Sequence, residues 1–239
     1  MGEIKDIDII GKALLDYQTN NFFENIITYS SIGGNDEMDI PFLFRSYDEM
    51  PIIERKALDL CNGNILDIGC GAGSHALYLQ DKNFKVKAID ISKGAIETCK
   101  LRGVNKAMVQ NIWNIKNEKF DTILALMNGV GISEKIENLT AFFVHLKKLL
   151  NLNGQILLDS SDVIYMYDEE DREALLQETD NYYGEVVFEM AYQGQFSQLI
   201  HWLFVDFSTL RCHAKKAGLK CELIIEGFHY DFLVKLTPI

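Results

Sequence analysis

Apolar and polar residues follow a repeating pattern between residues 63 and 160. Short, almost continuously apolar runs alternate with longer segments whose apolar residues recur at helical spacing. The runs are typical of strands buried in a sheet, and the longer segments are typical of helices with one apolar face. Repeated strand–helix units at such short spacing predict a doubly wound, parallel sheet. The first predicted strand ends at Asp67, and the next ones span residues 85–90, 107–110, 120–127 and 155–159.

The C-terminal part of the chain departs from this repeat. After an acidic helix start at residue 168, two β-rich runs at 185–192 and 196–205 predict an inserted hairpin. Two further runs, 219–226 and 229–237, follow each other too closely for a parallel crossover. The last strand must therefore be antiparallel. The predicted fold is α/β, with a doubly wound seven-stranded sheet that is mostly parallel and has an antiparallel last strand.

Residues 1–60 lack the alternation of strands and helices. They predict a mainly helical N-terminal cap on a main domain of residues 61–239, in which the helix and hairpin at about 168–205 are an insertion. The apolar residues at helical spacing in the cap are Leu14, Leu15, Phe22, Phe23, Ile26 and Ile27. The aromatic residues of the cap either pack it on the sheet or close over a ligand site.

Three glycines follow the first predicted strand. Gly69, Gly71 and Gly73 are spaced two apart, directly before a helix that starts at Ser74. Glycine allows a left-handed backbone and lets a ligand lie against the peptide plane. A turn of this kind marks a ligand site at the carboxyl edge of a parallel sheet, and a nucleotide ligand needs an acid at the end of the next strand. Asp90 stands at that position.

The spacing of the glycines distinguishes a dinucleotide ligand from other nucleotide-containing ligands. A dinucleotide site has the pattern G-x-G-x-x-G, whose third glycine would fall at Ser74. The third glycine is Gly73 instead, so the sequence predicts a ligand other than NAD. A lone G-x-G-x-G can also be no more than a tight turn.

Together with Asp67, this loop resembles the first motif of the class I S-adenosylmethionine-dependent methyltransferases, of the small-molecule type. The resemblance covers residues 62–160, and the last two strands by topology only. It implies a Rossmann-like fold and S-adenosylmethionine as cofactor. Residues 1–60 and the hairpin carry no motif of the family.

The resemblance assigns the cofactor-binding residues. It implies that the glycine loop, including Cys70, holds the methionine portion of the cofactor, with Asp67 near its amino group. Asp67 could instead cap backbone amides. Asp90 would bind both ribose hydroxyls, or be a plain surface acid, and Ile91 would lie on the adenine.

Further cofactor contacts are expected after the third and fourth strands. Asn111 stands where the family has an acid that faces the adenine amino group, and its oxygen can still accept that hydrogen bond. Ile112 completes the adenine pocket, whereas Trp113 is either pocket or core. Met127 and Asn128 are expected at the reacting centre.

No catalytic base follows from the sequence. A methyl group on a sulfonium is already activated, so aligning it with the acceptor is the main task, and a base helps only if the acceptor keeps its proton. His201 in the hairpin and His229 before the last strand are weak candidates, with surface or structural roles as the alternative. The expected substrate pocket consists of Tyr17, Arg45, Tyr47, Phe188, Tyr192 and His229.

The hairpin has one strongly apolar face, because apolar residues alternate along both of its strands. Such a face cannot stand alone in water and must cover something. It covers either the active site or a second copy of itself in a homodimer. We favour the first, because the insertion leaves from the ligand edge of the fifth strand.

Composition limits the partners. The chain has 23 basic and 35 acidic residues, a formal net charge of −12 and a pI of about 4.8, which disfavours a nucleic acid backbone. The Asn/Asp-Pro-Pro-aromatic signature of DNA amine methyltransferases is absent, so DNA is not expected as a substrate.

Five cysteines without a C-x-x-C pair predict neither a disulfide framework nor a metal site. No signal-like segment and no apolar run of about 20 residues is present, which predicts a cytoplasmic protein without membrane contact.

The predicted function is S-adenosylmethionine-dependent methyl transfer to a small molecule. Two alternatives stay open. The first is a methyltransferase with a protein or RNA acceptor, and the second is a non-catalytic S-adenosylmethionine-binding module whose partner docks on the hairpin.

Overall fold

A computed structural model describes residues 7–177 and 182–239 of the chain. The helices are α1 (Ile9–Gln18), α2 (Ile52–Leu60), α3 (Ser74–Asp81), α4 (Lys93–Leu101), α5 (Ile136–Lys148), α6 (Glu169–Gln177) and α7 (Phe207–Lys216). The strands are β1 (Ile26–Ser30), β2 (Asn35–Met38), β3 (Asn64–Ile68), β4 (Lys85–Asp90), β5 (Ala107–Val109), β6 (Phe120–Ala125), β7 (Leu150–Ser161), β8 (Glu185–Tyr192), β9 (Gln195–Phe196), β10 (Ile200–Leu203), β11 (Leu219–Glu226) and β12 (Asp231–Pro238).

The main sheet has seven strands in the order β11-β12-β7-β6-β3-β4-β5. Strands β3 to β7 run parallel, and β12 is antiparallel to both of its neighbours, which confirms the predicted sheet. From β3 the chain proceeds outward through β4 and β5 and then returns to the other side of β3 with β6. Such a reversal opens a crevice at the carboxyl ends of the strands, where ligands bind in this architecture. The crevice lies beyond the ends of β3 and β6.

Helices cover both faces of this sheet. On one face, α5 and α7 bury Phe142, Phe143 and Leu210 completely. On the other, α2 and α3 bury residues such as Ala57 and Leu79. Each fully buried Leu or Phe contributes about 1.5–3 kcal/mol relative to exposure, so the sheet needs both layers. Within the described ranges, no helix combines the length and the apolar character needed to cross a membrane.

A second, antiparallel sheet packs against the short 3₁₀ helix that follows β6, and we call it the lid sheet. Its strands run in the order β10-β8-β1-β2, and β9 pairs with β8. The N-terminal segment and the inserted hairpin, far apart in sequence, thus form one sheet: Thr28 of β1 stands opposite Met190 of β8, and Ile200 of β10 stands opposite Phe188.

The prediction of helix at residues 26–27 within the cap is wrong, because this segment is β1. The apolar pair Ile26 and Ile27 fits helical spacing, yet Ile26 is fully buried whereas Ile27 is 36% exposed, the alternation of a strand. β-branched residues favour a strand when a partner strand is present. Its partners are β2, which follows after residues 31–34, and β8, which lies more than a hundred residues further along the chain.

The lid sheet contacts the main domain through close packing at one glycine. Trp202 of β10 lies so near Gly131 that a Cβ atom there would sit 2.0 Å from its Nε1 atom. Gly131 belongs to a short 3₁₀ helix, Gly129–Ser133, that follows β6. A larger residue at this position would push the lid sheet away from the main domain.

We expect Gly131→Ala to destabilise the protein by about 1–3 kcal/mol, the usual cost of overpacking. In a Trp202→Ala background the same change should cost much less, because the clashing ring is gone. Urea unfolding followed by circular dichroism measures the free energy of unfolding of the wild type, the two single variants and the double variant. Strictly additive costs would show that the lid sheet does not dock through this contact.

Candidate active site

The glycine loop leads from β3 to α3 at the crevice. Gly69, Gly71 and Gly73 have φ angles of 69°, 51° and 84°, a region that other residues rarely adopt. A Cβ atom at Gly73 would lie 2.9 Å from the Cys99 Sγ atom, whereas a Cβ at Gly71 would meet nothing within 4 Å. Gly73 is therefore required by packing on α4. The peptide at Gly71 faces open space in which a ligand can lie against the backbone.

Asp67 is the second-last residue of β3, just before this loop. It is 1% exposed, and its Oδ2 atom has no hydrogen-bond partner among the residues that the structure describes. Burial raises the pKa of Asp67 to about 6, the imidazole of His75 opposes the rise, and Asp90 adds to it. An unpaired carboxylate in so little water attracts a cationic ligand group.

Asp90 lies at the end of β4 and faces the same loop. Its carboxylate accepts hydrogen bonds from the backbone N–H groups of Gly71 at 3.0 Å and Ser92 at 2.9 Å. Burial raises the pKa of Asp90, and these two N–H groups partly offset the rise. The next residue, Ile91, is 73% exposed although it is apolar. An acid and an exposed apolar side chain thus stand side by side at the rim of the crevice.

The residues predicted to form the adenine pocket follow β5 and lie in different environments. The side-chain oxygen of Asn111 accepts the N–H of Trp113 at 2.9 Å, and Ile112 is 4% exposed within the core. Trp113 is 38% exposed and its ring lies 5.3 Å from that of His145. The Oε1 atom of Gln110, which no sequence signal singles out, is shielded and has no partner in the described parts of the chain.

A buried group of charged side chains lies next to the loop. The Arg45 guanidinium contacts both carboxylate oxygens of Glu54, and the His75 Nε2 atom lies 2.7 Å from Glu54 Oε2. All three residues are less than 9% exposed. Burial alone would raise the pKa of Glu54, but His75 and Arg45 more than offset this and hold that pKa below its ordinary value.

Sequence reasoning missed two members of this group. Glu54 lies on the apolar face of α2 with Ile53, Ala57 and Leu58, and a charged residue on such a face is the signal that could have found it. His75 directly follows the glycine loop at the start of α3, a helix on which a structural role is the ordinary expectation.

The turn after β6 completes the crevice on its other side. Met127 and Asn128 are both left-handed, with φ angles of 63° and 58°. The Asp159 carboxylate of β7 accepts the Gly129 N–H at 3.1 Å, and Arg45 Nη2 lies 3.2 Å from the Met127 sulfur. Burial raises the pKa of Asp159 to about 6, backbone groups of residues 128 and 129 oppose the rise, and the charge of Glu54 adds to it.

The aromatic residues expected in the substrate pocket lie in different environments. Tyr17 packs against Phe44 with ring centroids 4.5 Å apart, and Tyr47 stacks on Tyr78 at 4.2 Å. Neither contact involves a residue of the glycine loop or of the turn after β6. Arg45 is the one residue of the predicted cap pocket for which the structure gives a contact with that turn.

The two hairpin residues of the expected pocket also differ from each other. Tyr192 is 1% exposed and its hydroxyl donates to Asp16 of α1 at 3.1 Å, so it supports the lid sheet from within. Burial raises the pKa of its hydroxyl to about 12. Phe188 is half-buried, with its ring 6.3 Å from that of Phe204.

The two histidines named as weak catalytic candidates are both exposed. His201 stands opposite Val187 within the lid sheet. His229 lies in the loop before β12, and its backbone N–H donates to Asp231 at 2.9 Å. Neither side chain has a hydrogen bond to a crevice residue within the described ranges.

These features fit S-adenosylmethionine. An orphaned carboxylate oxygen on Asp67 suits its ammonium, the open peptide at Gly71 suits close approach, and Asp90 with Ile91 suits an adenosine. When bound, this cofactor supplies a methyl group that is already activated on a sulfonium.

Comparison with known proteins agrees with this fit. A family model described as a methyltransferase domain matches residues 61–204. A solved S-adenosylmethionine-dependent methyltransferase from Bacteroides fragilis, in complex with S-adenosyl-L-homocysteine, is 42% identical, with 97% of this chain and 94% of that chain covered and a TM-score of 0.88. The chain therefore belongs to the methyltransferase domain family, as a class I enzyme that uses S-adenosylmethionine.

Curated relatives are more distant. A ubiquinone biosynthesis O-methyltransferase from Rickettsia conorii is 31% identical over 113 residues, which are 45% of this chain and 38% of that protein. A ribosomal RNA small subunit methyltransferase C from Marinomonas sp. is 26% identical over 115 residues, 44% of this chain and 33% of that protein. The match thus spans less than half the length of each of these relatives.

The buried carboxylate of Asp67 predicts an unusual dependence of stability on pH. The ordinary pKa of this group is 3.8, and in the folded protein it is about 6. Between these values the folded state binds more protons than the unfolded state, so the contribution of Asp67 to stability falls as the pH rises. The free energy of unfolding of Asp67→Asn minus that of the wild type should therefore be larger at pH 7.5 than at pH 4, by up to about 3 kcal/mol.

Asp121→Asn is a control for which pH should have the opposite effect on stability, because hydrogen bonds from Asn64 and Asn151 lower the pKa of Asp121. This variant should lose stability relative to the wild type as the pH rises. Urea unfolding across the pH range measures both effects. Parallel pH profiles for Asp67→Asn and the wild type would contradict the assignment.

Proposed function

We propose that this methyltransferase acts on a small molecule that binds between the glycine loop and the lid sheet. The observation that carries the proposal is the lid sheet itself. Met190 and Tyr192 of β8 pack in the same apolar cluster as Ala72 of the glycine loop. A site roofed in this way suits a small acceptor, and a folded RNA or protein would need the roof to move aside.

Electrostatics supports the same acceptor class. The carboxylates of Glu54, Asp67 and Asp159 are buried near the glycine loop and the turn after β6, and Arg45 is already paired with Glu54. With a net charge of −12 on the whole chain, a phosphate backbone gains little from such a surface. The ubiquinone O-methyltransferase is a small-molecule enzyme by its name, whereas the ribosomal RNA enzyme keeps RNA as the second candidate.

We assign cofactor contacts to the glycine loop with Cys70, to Asp67 and to Asp90 with Ile91. On the adenine side the assignment extends to Asn111 and Ile112, to which we add Gln110 because its shielded oxygen can accept an amino hydrogen.

On the acceptor side we assign Met127, Asn128 and Phe188, with Tyr192 and Arg45 as their supports. Tyr17, Tyr47 and the two exposed histidines are not needed for this arrangement. The apolar face of β8 is covered within the chain, which favours the lid over a homodimer through that face.

Incubation with methyl-labelled S-adenosylmethionine tests the acceptor class. The purified protein is offered three fractions of a cell extract: small molecules, total RNA and protein. We expect label in the small-molecule fraction only. Label in RNA or protein would replace the proposal by that acceptor. Binding of S-adenosylhomocysteine without transfer to any fraction would favour a binding module.

A second prediction concerns Asp90. If its carboxylate binds both ribose hydroxyls, Asp90→Ala should weaken S-adenosylhomocysteine binding by at least about tenfold, since one charged hydrogen bond is worth roughly 1.5–3 kcal/mol. Asp90→Asn retains one acceptor oxygen for the Gly71 N–H and should lose less. Calorimetry with folded variants measures both. Unchanged affinity in Asp90→Ala would place the ribose elsewhere.

A further inference from the structure

We propose that a cavity at the amino edge of the main sheet binds a small organic phosphate, that is, a phosphate group carried on an apolar ring. The cavity has a volume of about 550 Å³ and lies at the starts of β3, β4, β5 and β6. The crevice lies at the opposite ends of these strands, so the cavity is separate from the candidate active site. Small-molecule sites commonly have volumes of roughly 300–1,000 Å³, and this cavity falls within that range.

Positive charge is concentrated around the cavity, although the chain as a whole has a net charge of −12. Among the described residues that line it, Glu118 is the one carboxylate. The nearby carboxylate of Asp121 is engaged by the Asn64 N–H and the Asn151 side chain. A concave surface with an excess of one charge attracts ligands of the opposite charge. The lysines that line the cavity are Lys85, Lys87, Lys106 and Lys119.

These lysines differ in what their ammonium groups already contact. The Lys87 side chain is 5% exposed, and its Nζ atom lies 2.6 Å from Glu118 Oε1. Lys119 donates to two backbone carbonyl oxygens, which are neutral acceptors. Lys85 and Lys106 are exposed, and no residue in the described ranges accepts a hydrogen bond from their ammonium groups. These two can therefore bind an anion without giving up another partner.

The sheet brings the lysines of neighbouring strands together. The Ala88 N–H donates to the Lys106 carbonyl oxygen at 2.9 Å, and this register places Lys106 beside Lys87. Lys85 lies two residues before Lys87 on β4, and therefore on the same face of the sheet. Like charges at neighbouring positions of a sheet are destabilising, and a single carboxylate does not balance three ammonium groups. A bound phosphate dianion would remove this repulsion.

The loop that carries Lys106 is held in place by Gln80 of α3. The Gln80 Nε2 atom donates to the Gly103 carbonyl oxygen at 3.1 Å, and its Oε1 atom accepts the Asn105 N–H at 2.8 Å. Because both ends of the amide are used in this way, the loop forms a fixed wall of the cavity. The side-chain amides of Asn64 and Asn105 also line the cavity and can donate to phosphate oxygens.

The rest of the lining is apolar, and this feature favours an organic phosphate over the inorganic ion. Phe84 and Val86 are half-buried at the cavity, so part of their apolar surface is in contact with water. Ile65 and Phe120 continue this lining. An apolar ring attached to the phosphate would remove that surface from water, whereas the free ion would leave it hydrated.

Two ordinary roles of lysine do not account for the cluster. Lysines interact favourably with the C-terminal end of a helix, but none of these four lies in the last turn of a helix. Lysines also protect edge strands from pairing with another chain, which fits Lys106, directly before the edge strand β5. That role does not fit Lys85 and Lys87, because β4 lies between β3 and β5.

Phenyl phosphate is the probe that tests the proposal. Calorimetry uses the full chain in a phosphate-free buffer of low ionic strength, with saturating S-adenosylhomocysteine so that the cofactor site is occupied. We expect phenyl phosphate to bind at least about tenfold more tightly than inorganic phosphate or phenol, because only phenyl phosphate has both the charge and the ring. The double variant Lys85→Gln, Lys106→Gln should weaken its binding by about tenfold or more.

Two control variants accompany this measurement. The double variant Lys56→Gln, Lys216→Gln removes the same charge from exposed positions that do not line the cavity, and it should change the affinity by less than about twofold. Glu118→Gln removes the lining carboxylate and frees Lys87, so it should strengthen phenyl phosphate binding by about threefold or more.

Four results would overturn the proposal. Equal weakening by the two double variants would show a response to net charge alone, and equal affinities for phenyl phosphate and inorganic phosphate would show that no ring is recognised. Tighter binding of a short single-stranded RNA would replace the small ligand by a nucleic acid. Absence of phenyl phosphate binding would show that the cavity is not a phosphate site. None of these measurements involves methyl transfer, so they are independent of the labelling experiment.

Discussion

The buried ion pair between Arg45 and Glu54 is the interaction on which the crevice depends. Both side chains are shielded from water, and breaking such a pair by removing one partner commonly costs 3–5 kcal/mol, since the other charge stays buried. Arg45 precedes α2 and Glu54 lies within it, so the pair fixes the chain that enters the main domain. Through His75 and Met127 the same pair reaches the glycine loop on one side and the turn after β6 on the other.

This arrangement also sets the charge of the crevice. Three buried carboxylates, those of Glu54, Asp67 and Asp159, face one guanidinium and one imidazole. Uncompensated negative charge is costly in a low-dielectric interior, which is why burial raises the pKa values of Asp67 and Asp159. A ligand that carries an ammonium and a sulfonium relieves this excess. The electrostatic character of the cofactor and that of the crevice are therefore complementary before any specific contact is considered.

Local patterns predicted the main sheet well and the lid sheet poorly, for a physical reason. Buried parallel strands such as β6 are continuously apolar, and the glycine loop needs backbone angles that only glycine adopts readily, so both leave local signals. Strand β1 pairs with β2 through a short turn and with β8 more than a hundred residues away, and the pairing with the distant β8 leaves no local trace. Asn111 matched a motif position, yet its side chain bonds to the Trp113 N–H.

The distinction between local patterns and contacts between distant segments also explains which parts of the site were not predicted. The motif identifies residues that touch the cofactor in the whole family, and these cluster within the matched range of residues 61–204. Arg45, Glu54 and β1 precede that range, yet Arg45 contacts Met127 of the turn after β6 and β1 pairs with β8. In the proposed arrangement the acceptor contacts the lid sheet, whereas the cofactor contacts the glycine loop. The residues that decide which molecule is methylated are therefore expected in the segments where the chain differs from the common domain.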